Sequence, residues 1–215
     1  MGPGGNLAQV PIVQGKDLEL ASTPEQRELI RRAQGGDKSA YEALVGPHLD
    51  RFYGLAYQLM RNQDDASDVV QEALIKAYRS LGTFRGEADF LTWVTRILRN
   101  TVLDELKRAV RRHEEPVEVL PESLDRSLEN KAEQKELSEI VHGAIDQLSD
   151  KLREPLVMYD IEGYAYEEIS QILGLNIGTV KSRLNRARES LRQKLVSQRH
   201  RLTGWIKVSD ELPTS

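Results

Sequence analysis

Apolar residues recur every three or four positions along most of the chain between residues 23 and 195, which is the spacing of a buried helical face. Residues that cap helices precede these stretches and glycines follow them: Thr23 and Asp37 begin two of them, and Gly46 and Gly174 end two. The pattern predicts an all-α protein with helices at 23–34, 37–45, 48–60, 64–81, 90–112, 130–148, 149–162, 166–173 and 176–195.

Residues 166–195 predict a helix-turn-helix, in which two helices cross at a tight turn. The first helix carries apolar residues at helical spacing, and Gly174 ends it. The small side chain of Ser170 leaves room for a close crossing, and Asn176 can cap the second helix. The buried stripe of the second helix is Val180, Leu184, Ala187, Leu191 and Leu195.

The opposite face of the second helix carries groups that can read DNA. Arginine can donate to both O6 and N7 of guanine, and asparagine can pair with adenine. Residues 179–201 contain eight Lys or Arg and one acid, in a chain whose net charge is −4. An ordinary solvated helix is the alternative, and the local reversal of charge favours DNA binding. The predicted DNA-reading residues are Thr179, Lys181, Ser182, Arg183, Asn185 and Arg186.

The helix at 64–81 has a second unusual face. Asp68, Glu72, Ile75 and Arg79 lie opposite its buried side, with Gln71 beside them. Acids combined with an exposed branched apolar residue suit docking onto a basic, partly apolar partner helix. Solvated charges with one incidental isoleucine are the alternative. The helical periodicity and the lack of a loop glycine exclude a calcium loop.

The helix at 90–112 has a cationic face along which Trp93, Arg96, Asn100 and Lys107 lie. Residues 96–112 contain six cations and two acids. An aromatic side chain followed by cationic ones suits single-stranded DNA, whose bases stack on rings and whose phosphates attract cations. Trp93 could equally be a core residue. Arg85 lies at the tip of the loop that precedes this helix.

Composition changes sharply after residue 112. Residues 113–139 contain nine acids, three cations and two prolines. A flexible linker of about twenty residues spans on the order of 25 Å and fixes no geometry between the domains it joins. The predicted organisation is an extension at 1–22, a domain at 23–112, an acidic linker at 113–130, a domain at 131–196 and a tail at 197–215.

The remaining composition narrows the possible chemistry. The chain has no Cys, and none of its four His residues pairs with a second at metal-ligand spacing. No Gly-rich phosphate loop or nucleophile–base motif is present, which argues against an enzyme such as a carboxylate-based hydrolase and against a bound cofactor. With no signal pattern and no apolar run long enough for a bilayer, we expect a cytoplasmic protein without membrane insertion.

Two long motifs resemble those of bacterial extracytoplasmic-function (group 4) sigma factors of the sigma-E type. Residues 65–108 read DASDVVQEALIKAYRSLGTFRGEADFLTWVTRILRNTVLDELKR, and residues 159–192 read YDIEGYAYEEISQILGLNIGTVKSRLNRARESLR. The motifs stand in the order found in that family and are separated by a variable linker. The resemblance covers roughly residues 23–195.

The resemblance implies a role for each half. The first half looks like a sigma-2 domain, whose face from Asp68 to Arg79 docks on the clamp helices of the RNA polymerase β′ subunit. Phe84, Arg85 and Gly86, with the helix bearing Asn100, match the part that captures a flipped base of the minus-10 element and aids melting. The second half resembles sigma-4, which binds the minus-35 element and the β flap.

The resemblance also implies how such a protein is used. It would bind core polymerase and promoter DNA, start transcription of stress or envelope-response genes, and be held inactive by an anti-sigma factor. It would be a specificity subunit rather than an enzyme. The rival hypothesis is a helix-turn-helix regulator that binds DNA alone as a dimer, which leaves the first half without a role.

Overall fold

The computed structural model describes residues 23–112 and 138–197, and these residues form helices joined by short turns, with no strand among them. The predicted extension at 1–22, the acidic linker at 113–130 and tail residues 198–215 lie outside the described residues. The helices are α1 (Pro24–Gln34), α2 (Lys38–Val45), α3 (Leu49–Met60), α4 (Gln63–Ser80), α5 (Phe90–Arg112), α6 (138–146), α7 (Asp150–Leu156), α8 (Tyr166–Leu173) and α9 (Ile177–Ser197).

Most of the predicted helix caps are confirmed. The side chains of Thr23 and Asp37 accept hydrogen bonds from backbone N–H groups three residues later, at 3.2 Å in both cases. Asn62 caps α4 in the same way, and the helix begins at Gln63, one residue before its predicted start. Ser149, the first residue of the helix predicted at 149–162, lies at the cap position of α7, but its side chain makes no capping hydrogen bond.

Helix α4 packs against both α3 and α5, and α1 packs against α2. The buried side of α4 consists of Ala66, Val69, Val70, Ala73 and Ala77, while Leu74 and Tyr78 are only half-buried. Tyr41 of α2 ties this group together, because its Oη donates to the Leu74 carbonyl at 2.8 Å. Burial raises the pKa of Tyr41, so the phenol stays a donor.

In the second half, α7 and α8 each pack against α9. The continuous helix predicted at 149–162 is instead two pieces, since α7 ends at Leu156 and a π-helical segment follows at Val157–Ile161. Pro155 has no N–H to donate, and the wider turn buries Val157 and Met158. Gly163, at φ +68°, then ends the segment as predicted.

The two halves are packed together, which corrects the expectation that a flexible linker leaves their placement open. The buried apolar residues of both halves form one continuous cluster, and α8 packs against α5. Polar contacts also join α3 and α5 to the second half and form an interdomain junction. Its residues are Arg51, Thr95, Arg99, Glu154, Tyr164 and Glu168.

Charged groups of the interdomain junction are buried in contact with partners from the other half. The Arg99 guanidinium donates to Glu154 Oε2 at 2.8 Å, and Glu154 is 7% exposed. Arg51 lies over the Tyr164 ring at 3.6 Å, and its Nη2 is 3.9 Å from the Glu168 carboxylate. Side-chain contacts therefore link the two halves directly.

Candidate nucleic-acid interface

The helix-turn-helix has the predicted local structure. Gly174 adopts φ +66°, which brings α8 to an end, and the Asn176 side chain accepts from the Thr179 N–H at 2.7 Å to start α9. The Ser170 hydroxyl donates to the Leu175 carbonyl and so closes the turn from inside. Ile169, Ile172, Val180, Leu184 and Ala187 are buried between the two helices and the rest of the second half.

The face of α9 opposite its buried stripe is open to solvent. Lys181, Ser182, Asn185 and Arg186 are exposed, while Thr179 and Arg183 are half-buried. The Ser182 hydroxyl donates to the Thr179 carbonyl at 3.0 Å, so that group is engaged by its own helix. Asn185 and Arg186 therefore present longer polar side chains at the middle of this face.

Some cations of the second half are neutralised within the protein. Arg188 makes a two-pronged ion pair with Asp160 of the π-helical segment, and this hydrogen bonding raises the pKa of Arg188. Arg192 pairs with Glu189, whose pKa falls to about 2 because Arg192 and Gln193 donate to it. These ion pairs lower the positive charge that α9 presents relative to the count along the sequence. Lys181, Arg183 and Arg186 are the cations of the predicted reading face.

A cleft of about 540 Å³ opens where the loop after α4 meets the first turns of α5. Four predicted residues, Phe84, Arg85, Trp93 and Arg96, line it together. Gly86 lies in the same loop with φ +74°, a conformation that glycine adopts without strain. The structure thus brings an aromatic pair and two guanidinium groups to one concave site.

The aromatic residues of the cleft support one another. The Phe84 ring meets Phe90 edge-on with centroids 5.7 Å apart, and it lies 5.2 Å from the Trp93 ring. Phe90 is fully buried and Trp93 is half-buried. Trp93 can therefore be both a core residue and part of a binding surface, because one part of the indole packs on the core and another part lines the cleft.

Thr92 lines the cleft and was not identified from the sequence. It is 3% exposed, and its hydroxyl makes no hydrogen bond to the described residues. A buried hydroxyl without a partner costs roughly 1–3 kcal/mol, so a ligand that reached it would recover that energy. Hydrophobic periodicity could not single out this residue, since a buried threonine fits a helical core position as well.

Gln171 of α8 also lines the cleft, although it belongs to the second half of the chain. Asn100 and Lys107, by contrast, lie exposed farther along α5 and do not line it. Asn100 accepts from Arg99 at 3.4 Å, and the Lys107 ammonium is 3.8 Å from Asp104. The residues predicted along the cationic face of α5 therefore fall into two groups. Trp93 and Arg96 line the cleft at the start of the helix, whereas Asn100 and Lys107 lie on an exposed polar surface beyond it.

The predicted docking face on α4 is largely accessible. Asp68, Gln71 and Arg79 are exposed, and Ile75 is 51% exposed, an unusual value for a large apolar side chain. Glu72 differs from the others because its carboxylate pairs with Lys76 at 2.7 Å and lies 4.0 Å from Arg108 of α5.

The described residues contain no cluster of metal-binding side chains and no helix that is long and apolar enough to cross a membrane.

The cleft loop is held in place by a residue of α1. Gln34 Nε2 donates to the Leu81 carbonyl at 3.1 Å and to the Phe84 carbonyl at 3.0 Å. These two bonds hold the backbone at the start of the loop and so set the positions of Phe84 and Arg85. Helical periodicity could not reveal this role of Gln34, because the bonded residues are about fifty positions apart in the chain.

We expect Gln34→Ala to loosen this loop. Two donated hydrogen bonds would be lost, each worth about 0.5–1.5 kcal/mol, so amide hydrogen exchange at residues 84–89 should become faster. Hydrogen-exchange mass spectrometry measures this directly. Glu28→Ala is the control, since Glu28 pairs with Arg31 on the surface of the same helix. Equal exchange in both variants would show that Gln34 does not hold the loop.

Comparisons with known proteins agree with this geometry. The family model for sigma-70 region 2 matches residues 44–112, which contain the α4 face and every cleft-lining residue except Gln171. The model for sigma-70 region 4 matches residues 138–191, which contain the helix-turn-helix.

Curated relatives match over most of their length. The chain is 37% identical over 187 residues to the RNA polymerase sigma-H factor of Pseudomonas aeruginosa, covering 82% of this chain and 96% of the relative. It is 35% identical to the ECF RNA polymerase sigma-E factors of Haemophilus influenzae, covering 82% and 98%, and of Escherichia coli, covering 78% and 92%.

Solved structures show a similar arrangement of helices. CnrH in complex with the cytosolic domain of CnrY matches with a TM-score of 0.63 and 26% identity, covering 80% of this chain and 98% of that one. The sigma factor RpoE of Bartonella quintana, in complex with the anti-sigma factor NepR, matches with a TM-score of 0.56 and 27% identity, covering 73% and 96%. The region 2 and region 4 matches, together with relatives aligned over most of their length, establish that this chain belongs to the extracytoplasmic-function family of RNA polymerase sigma factors.

Proposed function

We propose that this sigma factor reads the minus-35 element with α9, captures a flipped base of the minus-10 element in the cleft, and docks on core polymerase through the α4 face. The observation that carries the proposal is the cleft itself, where rings, guanidinium groups and a buried hydroxyl without a partner converge. We further propose that the protein is itself no enzyme, and that it acts in the cytoplasm, where the polymerase and the chromosome lie.

The cleft has the chemistry that a flipped base requires. Its volume of about 540 Å³ lies within the roughly 300–1,000 Å³ typical of small-ligand sites. Flipping costs a few kcal/mol of lost stacking, and stacking on an aromatic side chain returns about 1–3 kcal/mol per base. Trp93 supplies that surface, Arg85 and Arg96 attract the flanking phosphates, and the Thr92 hydroxyl can bond a polar edge of the base.

Replacing Thr92 by valine tests base capture. Thr92→Val removes the hydroxyl while keeping a similar shape, so promoter opening by the reconstituted holoenzyme should fall about 3- to 10-fold through loss of one hydrogen bond. Stability in urea should stay the same or rise, because a buried group without a partner is removed. A 2-aminopurine placed in the minus-10 element reports the opening.

Thr101→Val is the matched control for this experiment. Thr101 is also buried on α5, but its hydroxyl donates to the Ile97 carbonyl and does not line the cleft. Opening at the wild-type level by Thr92→Val would contradict base capture at this hydroxyl.

Reading of the minus-35 element by α9 is tested with two variants. Arg186→Ala should weaken binding by about 1–3 kcal/mol and relax preference at one base pair, because its exposed side chain can reach a base edge. Lys181→Ala should weaken binding to all sequences alike and lower the salt slope by about one, as expected for a phosphate contact. Fluorescence anisotropy on a set of single-base promoter variants measures both. An equal loss on every variant for Arg186→Ala would mean that the reading face is assigned wrongly.

Docking on core polymerase is tested at the α4 face. Asp68→Ala combined with Ile75→Ala removes one exposed acid and the exposed apolar side chain, so core binding should be lost. The free energy of unfolding should change by less than about 0.5 kcal/mol per site, since neither residue is buried. Co-purification with core enzyme gives the result, and Glu42→Ala, at an exposed position of α2, is the control. Co-purification of the double variant at wild-type levels would contradict the assignment.

Regulation by a protein partner is supported by the two solved relatives. The Bartonella sigma factor is bound to an anti-sigma factor, and CnrH is bound to the cytosolic domain of CnrY. We propose that an anti-sigma factor likewise controls this chain.

The rival function, a regulator that binds DNA alone as a dimer, accounts for α9 but leaves the cleft and the α4 face unused. Gel shifts on duplex promoter DNA separate the two functions. A sigma factor should need core polymerase for specific binding, whereas a dimeric regulator should not.

A further inference from the structure

Helix α3 has an exposed apolar face that belongs to none of the surfaces described above. Leu49, Tyr53 and Tyr57 recur every four residues, so they lie along one side of the helix. Leu49 is 43% exposed and Tyr53 is 36% exposed, while Tyr57 is half-buried. We call this surface the tyrosine face.

The tyrosine face is a preformed surface. The rings of Tyr53 and Tyr57 are stacked, with centroids 6.2 Å apart and an angle of 9° between their planes. The second half approaches α3 at a different position, since the Glu162 carboxylate lies against Gly54. Contiguous exposed apolar side chains mark interaction sites, and stacked aromatic rings lose little conformational freedom when a partner covers them.

The chain that follows α9 contains a segment of matching chemistry. Helix α9 ends at Ser197, and residues 199–208 read RHRLTGWIKV. This segment, which we call the tail segment, has three cations and no acid. Its apolar residues are Leu202, Trp205, Ile206 and Val208. Tryptophan is the side chain that contributes most often to binding at interfaces, because it buries a large apolar area on few rotatable bonds.

The charge beside the tyrosine face complements that of the tail segment. Asp50 is exposed and lies one helical turn before Tyr53. It makes no ion pair with another residue in the part of the chain that the structure describes. Arg61, at the end of α3, is paired with Asp146 of α6, so its charge is compensated. A cationic segment is therefore attracted to the acid of α3.

The end of α9 lies close to the tyrosine face. Lys194 of α9 donates from Nζ to Oε1 of Gln147 at 3.3 Å. The neighbouring residue, Asp146, has its carboxylate 3.4 Å from Nε of Arg61. The Arg61 guanidinium in turn lies 5.2 Å from the centre of the Tyr57 ring. A short series of side-chain contacts therefore joins the last turns of α9 to α3.

The tail segment has the length to reach this face. Trp205 is eight residues beyond Ser197, and eight residues span up to about 29 Å at ~3.6 Å per residue. A tether this short holds its segment near the face at an effective concentration on the order of millimolar. Weak docking is then enough to keep the face covered, and a second copy of the chain competes poorly at ordinary protein concentrations.

We propose that the tail segment docks on the tyrosine face of its own chain, with the Trp205 ring packed against Tyr53 and the cations of the segment near Asp50. Docking removes the exposed apolar side chains of α3 from water. The inference goes beyond the function proposed above and does not depend on it, because the tyrosine face lies outside the cleft, the α4 face and the reading face of α9.

Photo-crosslinking identifies what covers the tyrosine face. The photoreactive amino acid p-benzoylphenylalanine takes the place of Tyr53 in the full-length protein and keeps an aromatic ring there. Mass spectrometry should find it crosslinked to residues 199–208 of the same molecule. Chains labelled with ¹⁵N are mixed with unlabelled ones to recognise crosslinks between copies. Crosslinks mainly between copies, or none to the tail segment, would overturn docking within one chain.

Variants of the tail segment test whether docking is specific. Trp205→Ser combined with Ile206→Ser should lower the crosslinking yield about 10-fold, because the apolar area that docks is removed. Both positions follow α9, so the described helices stay intact. Leu212→Ser is the control, since it removes an apolar side chain beyond the segment. A yield equal to that of the unaltered tail in the double variant would show that the crosslink reports the tether alone, and docking would be overturned.

A distance measurement tests the α3 side of the contact. Because the chain has no cysteine, spin labels can be attached at Ser209→Cys and at exposed Gln63→Cys, just beyond α3. We expect one narrow distance distribution, which should broaden when Leu49→Ala is combined with Tyr53→Ala.

The control for this measurement is Val110→Ala, which removes another exposed apolar side chain, on α5. Circular dichroism checks that α3 stays helical in the double variant, as expected for exposed residues changed to a strong helix former. A distribution that is already broad with the native α3, or that stays narrow in the double variant, would overturn docking at the tyrosine face.

Discussion

The two-sided burial of α5 is the constraint on which the rest of the structure depends. This helix packs against α4 and α3 within its own half and against α8 of the other half. Its first turns form the cleft, and its middle carries Thr95 and Arg99 into the interdomain junction. A change in the packing of a neighbouring helix on α5 would therefore alter both the site proposed to hold a base and the contact between the halves.

The cleft illustrates how a binding site is kept ready by contacts outside it. Phe90 fills the core below Phe84 and Trp93, and Gln34 fixes the backbone that leads into the loop. The Thr92 hydroxyl, by contrast, is left without a partner among the described residues. Rigid aromatic support combined with an unsatisfied polar group is the arrangement expected of a site that gains energy only when its ligand arrives.

Charge in this protein has two separate uses. On α9 and along α5, exposed Lys and Arg create surfaces suited to nucleic acid. Arg99 and Arg188 instead hold the protein together, the first between the two halves and the second between α9 and the π-helical segment. The same residue type thus serves either an exposed surface or the packing of the helices, and the partner that each side chain meets in the fold decides which.

The sequence by itself determined most of the helices, the caps at Thr23 and Asn176, the exposed polar face of α9 and the family, because each of these depends on residues close together in the chain. The tertiary structure alone decided which parts meet across long separations. Gln34 reaches the cleft loop, Arg99 reaches Glu154, and Gln171 reaches the cleft. Periodicity identifies a buried face but not what covers it, so the packing of the second half on α5 could not be read from the spacing of apolar residues.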